Sequence, residues 1–263
     1  MKPLDTWPLA DRQGLVGVLT DIDDTLTTDG AISPEALGAL AALREAGLQV
    51  IAVTGRPAGW SEPFALQWPV QAIVAENGAV ALVREANGRL RKRYQQDAAT
   101  REGHFSRLQT VLRRVEQTVP GAVRAQDSAG RETDIAIDHS EFTQLPPERI
   151  EQVVALMREA GLHATVSSIH INGWFGDHHK FSGARWIVRE LLGRDLEAEN
   201  DRWAYVGDST NDEGMFARFA NAVGVANIRR FASALRHPPR YITEAERGAG
   251  FAQVARAVLA ARA

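Results

Sequence analysis

The chain has 263 residues, of which 44% are hydrophobic and 24% charged, an ordinary balance for a globular protein with one large or two modest domains. Thirty Lys and Arg residues against 33 Asp and Glu residues give a formal net charge of −3, which excludes the global basic field that drives nucleic-acid binding. The absence of cysteine excludes disulfides, thiolate metal sites and cysteine nucleophiles.

No apolar run approaches the ~20 residues that a membrane span requires. Residues 1–14 contain prolines and acids where a signal peptide has an apolar core. We therefore expect a cytoplasmic protein with no membrane or nucleic-acid partner. Its oligomeric state, monomer or homodimer, stays open.

The first informative stretch is Leu15–Thr28, where a short apolar run is followed by three acids. The run is typical of a strand buried on both faces, and Asp21, Asp23 and Asp24 follow it directly. An Asp-rich turn that only ends the strand is one interpretation. A cation site is the other, because adjacent carboxylates repel one another and a hard divalent cation takes oxygen ligands.

The next elements predict a βαβ unit. Ser33–Gly47 has a candidate N-cap at its start and a glycine stop at its end, which indicates a helix. Leu48–Val53 is a second apolar strand and runs into Thr54–Arg56. This order implies a parallel pair with a right-handed crossover. Ala72–Ala75 and Ala79–Val83 flank an Asn-Gly turn, so we expect a hairpin there.

The pattern changes after this hairpin. Residues 84–94 are charged and irregular, which predicts an exit from the first domain. Apolar periodicity predicts helices over His104–Val119 and Pro147–Ala160. Four short strand-like runs accompany them: Ala122–Ala125, Thr133–Ile137, His163–Ser167 and Ile169–Trp174. Together these elements predict an α+β module inserted in an α/β chain.

The α/β pattern returns at Lys180, just before a predicted helix over Phe181–Gly193. Trp203–Val206 is a strand that runs into Gly207–Asp212, a second acidic cluster. The last predicted elements are a helix at Met215–Phe219, a strand at Ala222–Val225 and a helix at Ala249–Ala263.

Four side chains directly follow predicted parallel strands: Asp21, Asp23, Thr54 and Asp208. The carboxyl ends of parallel strands meet at one edge of a sheet, so we expect these residues in one crevice. An all-oxygen set with few carboxylates suits Mg²⁺, which also takes substrate phosphate oxygens. With Lys180 to balance the remaining charge, these are the parts of a phosphoryl-transfer site.

The sequence also resembles the haloacid dehalogenase-like hydrolase superfamily. Its four motifs occur here in order, as Asp21–Thr25, Thr54–Arg56, Lys180, and Gly207–Asp208 followed by Asp212. The spacing resembles subclass IIB, the Cof-type and sucrose-phosphatase-like sugar phosphatases, whose cap is inserted between the second and third motifs. The resemblance implies a doubly wound, Rossmann-like α/β core domain formed by residues 1–83 and 178–263, with an α+β cap domain formed by residues 84–177.

The resemblance also implies a role for each motif residue. Asp21 would be the nucleophile and Asp23 the general acid, then base, while Thr54 and Lys180 would hold the transferring phosphoryl oxygens. Mg²⁺ is expected on Asp21, Asp208 and the backbone carbonyl of Asp23, with Asp212 completing the acidic loop. The residues expected to contact substrate are Thr54, Gly55, Arg56, Asn77, His170, Asn172, Lys180 and Asn211.

Two positions depart from the family pattern. Asp24 and Phe181 stand where the family often has glycine, and either could bear on substrate choice. In the inserted module, strand alternation places Ser168, His170, Asn172 and Trp174 on one face, whose polar groups suit a sugar. The other interpretation is that this face is the solvent side of the cap sheet.

The expected function is Mg²⁺-dependent hydrolysis of a small phosphorylated metabolite, above all a sugar phosphate, through an aspartyl-phosphate. Two alternatives stay open: a phosphomutase of the same subclass, and a non-catalytic sugar-phosphate sensor. His178 and His179 beside Asp177 suggest zinc, but no further ligands follow at zinc spacing, so a zinc site is disfavoured.

Overall fold

A computed structural model describes residues 1–262 of the chain. Its strands are, in chain order, β1 (Lys2–Pro3), β2 (Gly17–Thr20), β3 (Thr27–Thr28), β4 (Ala31–Ile32), β5 (Gln49–Val53), β6 (Ala72–Ala75), β7 (Val80–Arg84), β8 (Leu90–Tyr94), β9 (Val123–Arg124), β10 (Asp134–Asp138), β11 (His163–Val166), β12 (His170–Trp174), β13 (Trp203–Gly207), β14 (Asn221–Gly224) and β15 (Tyr241–Ile242). Its α-helices are α1 (Leu9–Gln13), α2 (Pro34–Glu45), α3 (Ala58–Gln67), α4 (Ala98–Thr118), α5 (Pro147–Glu159), α6 (Lys180–Leu192), α7 (Glu213–Phe216) and α8 (Arg247–Ala260). Within these described residues, no helix is both long and apolar enough to cross a membrane.

The large sheet has the strand order β1-β15-β14-β13-β2-β5-β6-β7-β8. The strands from β1 to β6 in this order are parallel, and β7 and β8 continue the sheet antiparallel. Each face of the large sheet packs against its own hydrophobic cluster. Successive side chains of a strand point to opposite faces, so strands β2 and β5 contribute to both clusters. Val18 and Val50 pack in one cluster, and Leu19 and Ile51 in the other. The predicted doubly wound α/β class is confirmed.

The second sheet has the order β11-β12-β10-β9 and is antiparallel throughout. Helices α4 and α5 cover one of its faces, where Leu112, Ile135, Val153 and Ile171 share a hydrophobic cluster. The opposite face of this sheet is turned to the carboxyl edge of the large sheet, and Asn172 there donates a hydrogen bond to the carbonyl of Gly55. We call the part of the chain that builds this second sheet the cap.

Several predicted elements are confirmed with their local causes. The Ser33 hydroxyl accepts a hydrogen bond from the amide of Ala36, so Ser33 is the N-cap of α2. β6 and β7 form the predicted hairpin with Ala75 opposite Val80. The turn between them, Glu76–Gly78, has positive φ at all three residues, and this conformation explains the glycine at its end.

The segment 84–94 was predicted to be irregular, and this prediction is wrong. Leu90–Tyr94 forms edge strand β8 and pairs with β7, with Val80 opposite Tyr94. Its side chains are partly exposed and mostly charged, as is usual for an edge strand that must not pair with another chain. The strands of the two sheets therefore separate after Tyr94, whereas the predicted division into two domains began the cap at residue 84.

Other differences concern helices and short hairpins. Helix α3 was not predicted, and Pro63 lies inside it. Helix α4 begins at Ala98, six positions before the predicted start at His104, because the Asp97 carboxylate caps it through the amide of Thr100. Strands β3 and β4 form a small hairpin just beyond the first acidic cluster.

The start of α6 packs closely on the Glu76–Gly78 turn. A Cβ atom at Gly183 would lie 2.7 Å from the carbonyl oxygen of Gly78, with no flexible side chain to move away. We expect Gly183→Ala to lower the free energy of unfolding by roughly 1–3 kcal/mol, the usual cost of overpacking. Urea unfolding followed by circular dichroism measures it.

Gly38→Ala is the matched control, because no heavy atom of the described part of the chain lies within 4 Å of a Cβ atom at that helical position. This control is expected to stabilise the protein by about 0.5–1 kcal/mol, the difference in helix propensity between glycine and alanine. Equal effects of the two substitutions would contradict the close approach of α6 to the turn.

Candidate active site

Three loops of the site follow neighbouring parallel strands. Thr20 at the end of β2 is in register with Ala52 of β5 and Val206 of β13. Asp21, Thr54 and Asp208 come shortly after these positions, so the sheet itself brings together residues that are far apart in sequence. All three side chains are buried.

Lys180 joins the two acidic loops. Its Nζ atom lies 2.6 Å from Oδ1 of Asp21 and 2.7 Å from Oδ1 of Asp212, and it donates to Oδ1 of Asn211 at 3.3 Å. The ammonium group is buried, with 4% of its side chain exposed. Its neighbouring carboxylates hold the pKa of Lys180 above the ordinary value although burial lowers it, so Lys180 is a fixed positive charge in the site.

The Asp212 carboxylate is held on all sides. Its Oδ2 atom accepts hydrogen bonds from the backbone amides of Asp208 and Ser209, at 2.9 and 3.1 Å. Its Oδ1 atom accepts one from the hydroxyl of Tyr205 in addition to that from Lys180. These bonds fix the loop that carries Asp208.

Asp208 lies in the same cluster of buried acids, but among the described residues 1–262 the ion pairs of Lys180 are with Asp21 and Asp212, and none is formed by Asp208. Asn227 donates to its Oδ2 atom at 3.0 Å. Burial, then repulsion from Asp21 and Asp212, raises the pKa of Asp208 well above its ordinary value. Burial likewise raises the pKa of Asp21 to about 8, even though Lys180 lowers it.

The donor set fits a hard divalent cation. One carboxylate oxygen from each of Asp21, Asp208 and Asp212 lies within 4.8 Å of the others. Oxygen ligands of this kind are those that Mg²⁺ prefers. With its three carboxylates ionised, the cluster stays negative despite Lys180, and a bound cation would offset the repulsion that adds to burial in raising the two pKa values. Of the predicted ligands, Asp212 accepts two hydrogen bonds at each carboxylate oxygen, whereas Asp208 accepts one from Asn227 at 3.0 Å and one from Thr25 at 3.5 Å.

Arg56 links the site to the cap. Its Nε atom donates to Oδ1 of Asp23 at 2.9 Å, while Nη1 reaches Oδ2 of Asp127 at 3.1 Å and Nη2 reaches Oε1 of Glu141 at 2.7 Å. His170 lies on the far side of Glu141, with its Nε2 atom 2.9 Å from Oε2. Burial raises the pKa of Glu141, but His170 and Arg56 outweigh it and lower that pKa to about 2.

The remaining predicted substrate contacts surround the loop after β5. The Thr54 hydroxyl accepts from the amide of Arg56 at 3.0 Å, so its own proton is free to donate. A Cβ atom at Gly55 would lie 3.2 Å from Asn77 and 3.3 Å from Asn172. Both asparagines donate to Oδ2 of Asp134, at 3.3 and 3.1 Å. Five of the residues expected to contact substrate line one crevice between core and cap: Gly55, Arg56, His170, Asn172 and Asn211. Lys180 contacts two residues of this crevice, Asp21 and Asn211, while Asn77 lies beside Gly55.

The cap face predicted to carry the sugar-binding groups lies inside the protein. His170, Asn172 and Trp174 are 2%, 1% and 3% exposed, and Ser168 is half-buried in the loop before β12. The alternative, that this face is the solvent side of the cap sheet, is therefore wrong. The sheet turns it toward the carboxyl edge of the large sheet.

Sequence reasoning missed several charged residues that join cap and core. The buried Glu76 carboxylate accepts hydrogen bonds from the backbone amides of Glu132 and Thr133. Arg131 donates to the carbonyl of Gly55 and to Asp134, whose pKa burial raises to about 7. The only sequence signal for this group is Asp134, an acidic residue within the otherwise mostly apolar predicted strand Thr133–Ile137.

The Arg56 contacts allow a test. Lysine has a single ammonium group and cannot bridge three carboxylates as a guanidinium does. We expect Arg56→Lys to speed amide hydrogen exchange over residues 127–141 and, if the protein is the phosphatase that the sequence predicts, to lower the rate of phosphate release by at least about tenfold, or ~1.4 kcal/mol. Arg113→Lys, on the exposed side of α4, is the control and should leave both unchanged.

Comparison with known proteins agrees with this architecture. Residues 18–105 match the family of haloacid dehalogenase-like hydrolases. That match contains the first two motifs, and the resemblance found in the sequence is confirmed. No curated protein sequence matches the chain significantly.

Solved structures share the fold over nearly the whole chain. Protein 0175 of Thermoplasma acidophilum is 16% identical with a TM-score of 0.70, over 93% of this chain and 99% of that one. A Plasmodium vivax protein described as a HAD/Cof-like hydrolase is 16% identical with a TM-score of 0.69, over 96% and 99%. Sucrose-phosphatase from Synechocystis, in complex with sucrose and phosphate, is 17% identical with a TM-score of 0.63, over 91% and 96%. At these identities the likeness concerns the fold.

Proposed function

We propose that this protein is a Mg²⁺-dependent phosphatase that hydrolyses a small phosphorylated metabolite, above all a sugar phosphate, through an aspartyl-phosphate intermediate. The observation that carries the proposal is the contact of Lys180 with Asp21 and Asp212, next to the buried Asp208. A carboxylate nucleophile, a fixed cation and a set of metal ligands meet there. These are the groups that a phosphoryl-transfer site requires.

In the first step, an oxygen of Asp21 attacks phosphorus and the bond from phosphorus to the leaving oxygen breaks. Asp23 gives its proton to that leaving oxygen, so the product departs as an alcohol. In the second step, Asp23 takes a proton from water as the water oxygen attacks phosphorus, and the bond from phosphorus to the Asp21 oxygen breaks. Inorganic phosphate leaves and both carboxyl groups return to their starting states.

The chain's other residues hold the reacting groups. Lys180 and the Thr54 hydroxyl bind the phosphoryl oxygens, and Arg56 orients Asp23 through its Nε atom. The Mg²⁺ ion would be held by Asp21, Asp208 and the backbone carbonyl of Asp23, with Asp212 in the same acidic loop. When bound, the ion neutralises negative charge so that two anions can approach.

Substrate entry requires the cap to move. The space enclosed between Asp21, Asn172 and Asn211 has a volume of about 10 Å³, which is room for a single water molecule. A phosphoryl group is larger. We therefore propose that the structure is a closed form, and that the Arg56 contacts to Asp127 and Glu141 break when the cap opens.

A sugar phosphate is supported by the polar residues on the cap face, His170 and Asn172, and by the fold shared with sucrose-phosphatase. The test is to incubate the protein and Mg²⁺ with a panel of phosphorylated metabolites and to measure inorganic phosphate. The proposal is supported if EDTA stops the release of phosphate and added Mg²⁺ restores it. Transfer of phosphate between sugar positions without release would instead indicate a phosphomutase, and binding without turnover a sensor.

A further inference from the structure

A second, larger space begins at the proposed general acid. It is a cleft of about 520 Å³ lined by the β3–β4 hairpin and by two cap loops, residues 140–142 and 168–169. Asp23 and Arg56 line both this cleft and the small enclosed space beside Asp21. Its volume is within the range usual for small-molecule sites. Because Asp23 must reach the leaving oxygen, the rest of the leaving group lies near Asp23, and this cleft is a space beside Asp23 that is large enough for a small molecule.

The walls of the cleft combine hydrogen-bond donors and acceptors with an apolar surface. Phe142 on the cap rim is 65% exposed, and Ile169 also lines the cleft. The charged groups are four carboxylates and three guanidinium groups: Asp23, Asp24, Asp29, Glu141, Arg56, Arg230 and Arg247. This balance gives no positive field that would favour a second anionic group on the substrate. It suits hydroxyl groups, which both donate and accept, on a ring whose C–H face packs on an aromatic side chain.

Asp24 occupies its place in the cleft at a conformational cost. Its φ is +55°, a left-handed conformation in which glycine is unstrained and other residues are uncommon. The backbone is held there by Asn227, whose Nδ2 atom donates to the carbonyl of Asp24 at 3.0 Å. The Asp24 carboxylate lies 3.0 Å from Nε of Arg247, and 18% of its side chain is exposed to the cleft. Backbone strain of this kind is concentrated at functional sites, so we expect the Asp24 side chain to have a function in the cleft.

We propose that this cleft binds the leaving group of the substrate, that the group is an uncharged, hydroxyl-rich ring, and that Asp24 and Phe142 select it. The proposal rests on the phosphatase function proposed above. In it, the Asp24 carboxylate accepts hydrogen bonds from ring hydroxyls, Arg247 donates to others, and Phe142 covers the apolar face of the ring.

Asp24→Gly is a sharp test, because glycine relieves the backbone conformation while removing the carboxylate. The variant is expected to unfold at the same temperature as the wild type or higher, so misfolding cannot account for a loss. The measurement is kcat/KM for the best sugar phosphate and for phenyl phosphate. We expect the ratio of the two to fall by at least about tenfold, as for loss of a hydrogen bond to a charged group. For Asp24→Asn, we expect a ratio of kcat/KM values between that of the wild type and that of Asp24→Gly.

Phe142→Ala is the second variant, with Phe105→Ala as its matched control. Phe105 is also an exposed phenylalanine of the cap, 41% exposed, but it lies on α4 away from the cleft. We expect Phe142→Ala to raise KM for the sugar phosphate by roughly fivefold or more, and Phe105→Ala to leave it unchanged.

Three results would overturn the proposal. The first is a substrate ratio for Asp24→Gly within roughly twofold of the wild type. The second is equal behaviour of the Phe142 and Phe105 variants. The third is a loss of kcat/KM in Asp24→Gly that is confined to esters with a second anionic group, such as 3-phosphoglycerate. Such a loss would mean that the cleft recognises charge.

Calorimetric binding of the sugar phosphate to Asp21→Asn separates this proposal from the proposed function. Binding that weakens in Asp21→Asn/Asp24→Gly, with no phosphate release by the wild type, would overturn the phosphatase and support the cleft. Phosphate release by the wild type, with a substrate preference that does not change in Asp24→Gly, would support the phosphatase and overturn the cleft proposal.

Discussion

Asp21→Asn is expected to abolish phosphate release, with kcat reduced by at least about a thousandfold, or ~4 kcal/mol. The amide has nearly the volume of the carboxylate but is not a nucleophile, so the first displacement cannot occur. Lys180 keeps its contact with Asp212 in the variant, and the site keeps its shape. The measurement is single-turnover phosphate release with the best metabolite from the panel.

The same variant has a stability signature that serves as its folding control. Burial raises the pKa of Asp21 to about 8, so in the metal-free protein the folded state binds a proton that the unfolded state has lost between pH ~4 and 8. The stability of the wild type in EDTA should therefore fall as pH rises through this range. Asparagine does not ionise, so the variant should lose this part of the pH dependence and unfold at pH 8 no earlier than the wild type. A variant that keeps even a tenth of the wild-type kcat would rule out the covalent mechanism.

The second large effect is expected at Asp208. Asp208→Ala removes a carboxylate that the fold places beside Asp21, and neither acidic loop alone offers an adequate set of oxygen ligands. We expect Mg²⁺ affinity, measured by calorimetry, to weaken by at least about tenfold and kcat to fall by roughly a hundredfold or more.

Asp201→Ala is the matched control for this substitution, because Asp201 is an exposed aspartate just before β13. It should bind Mg²⁺ and turn over substrate as the wild type does. An unchanged Mg²⁺ titration in Asp208→Ala, or full activity of the wild type in EDTA, would contradict a metal site between the two loops.

The placement of the central motif residues could be predicted from the sequence for a physical reason. Asp21, Thr54 and Asp208 each follow a short apolar strand, and parallel strands end at a common edge of the sheet. Their proximity follows from local pattern and topology, without knowledge of any side-chain contact. The hairpin of β6 and β7 is similar, because its turn chemistry is local.

The tertiary structure alone decided how the cap meets the core. Arg56 binds Asp127 and Glu141 across more than 70 positions of sequence, and single charged residues in loops carry no periodic signal that would pair them. Edge strand β8 was missed for a related reason: its exposed, charged residues resemble a linker, and only pairing with β7 makes them a strand. The cleft that begins at Asp23 is likewise formed by segments distant in sequence. The sequence thus determined the chemistry at the sheet edge, and the packing of the cap determined the space around it.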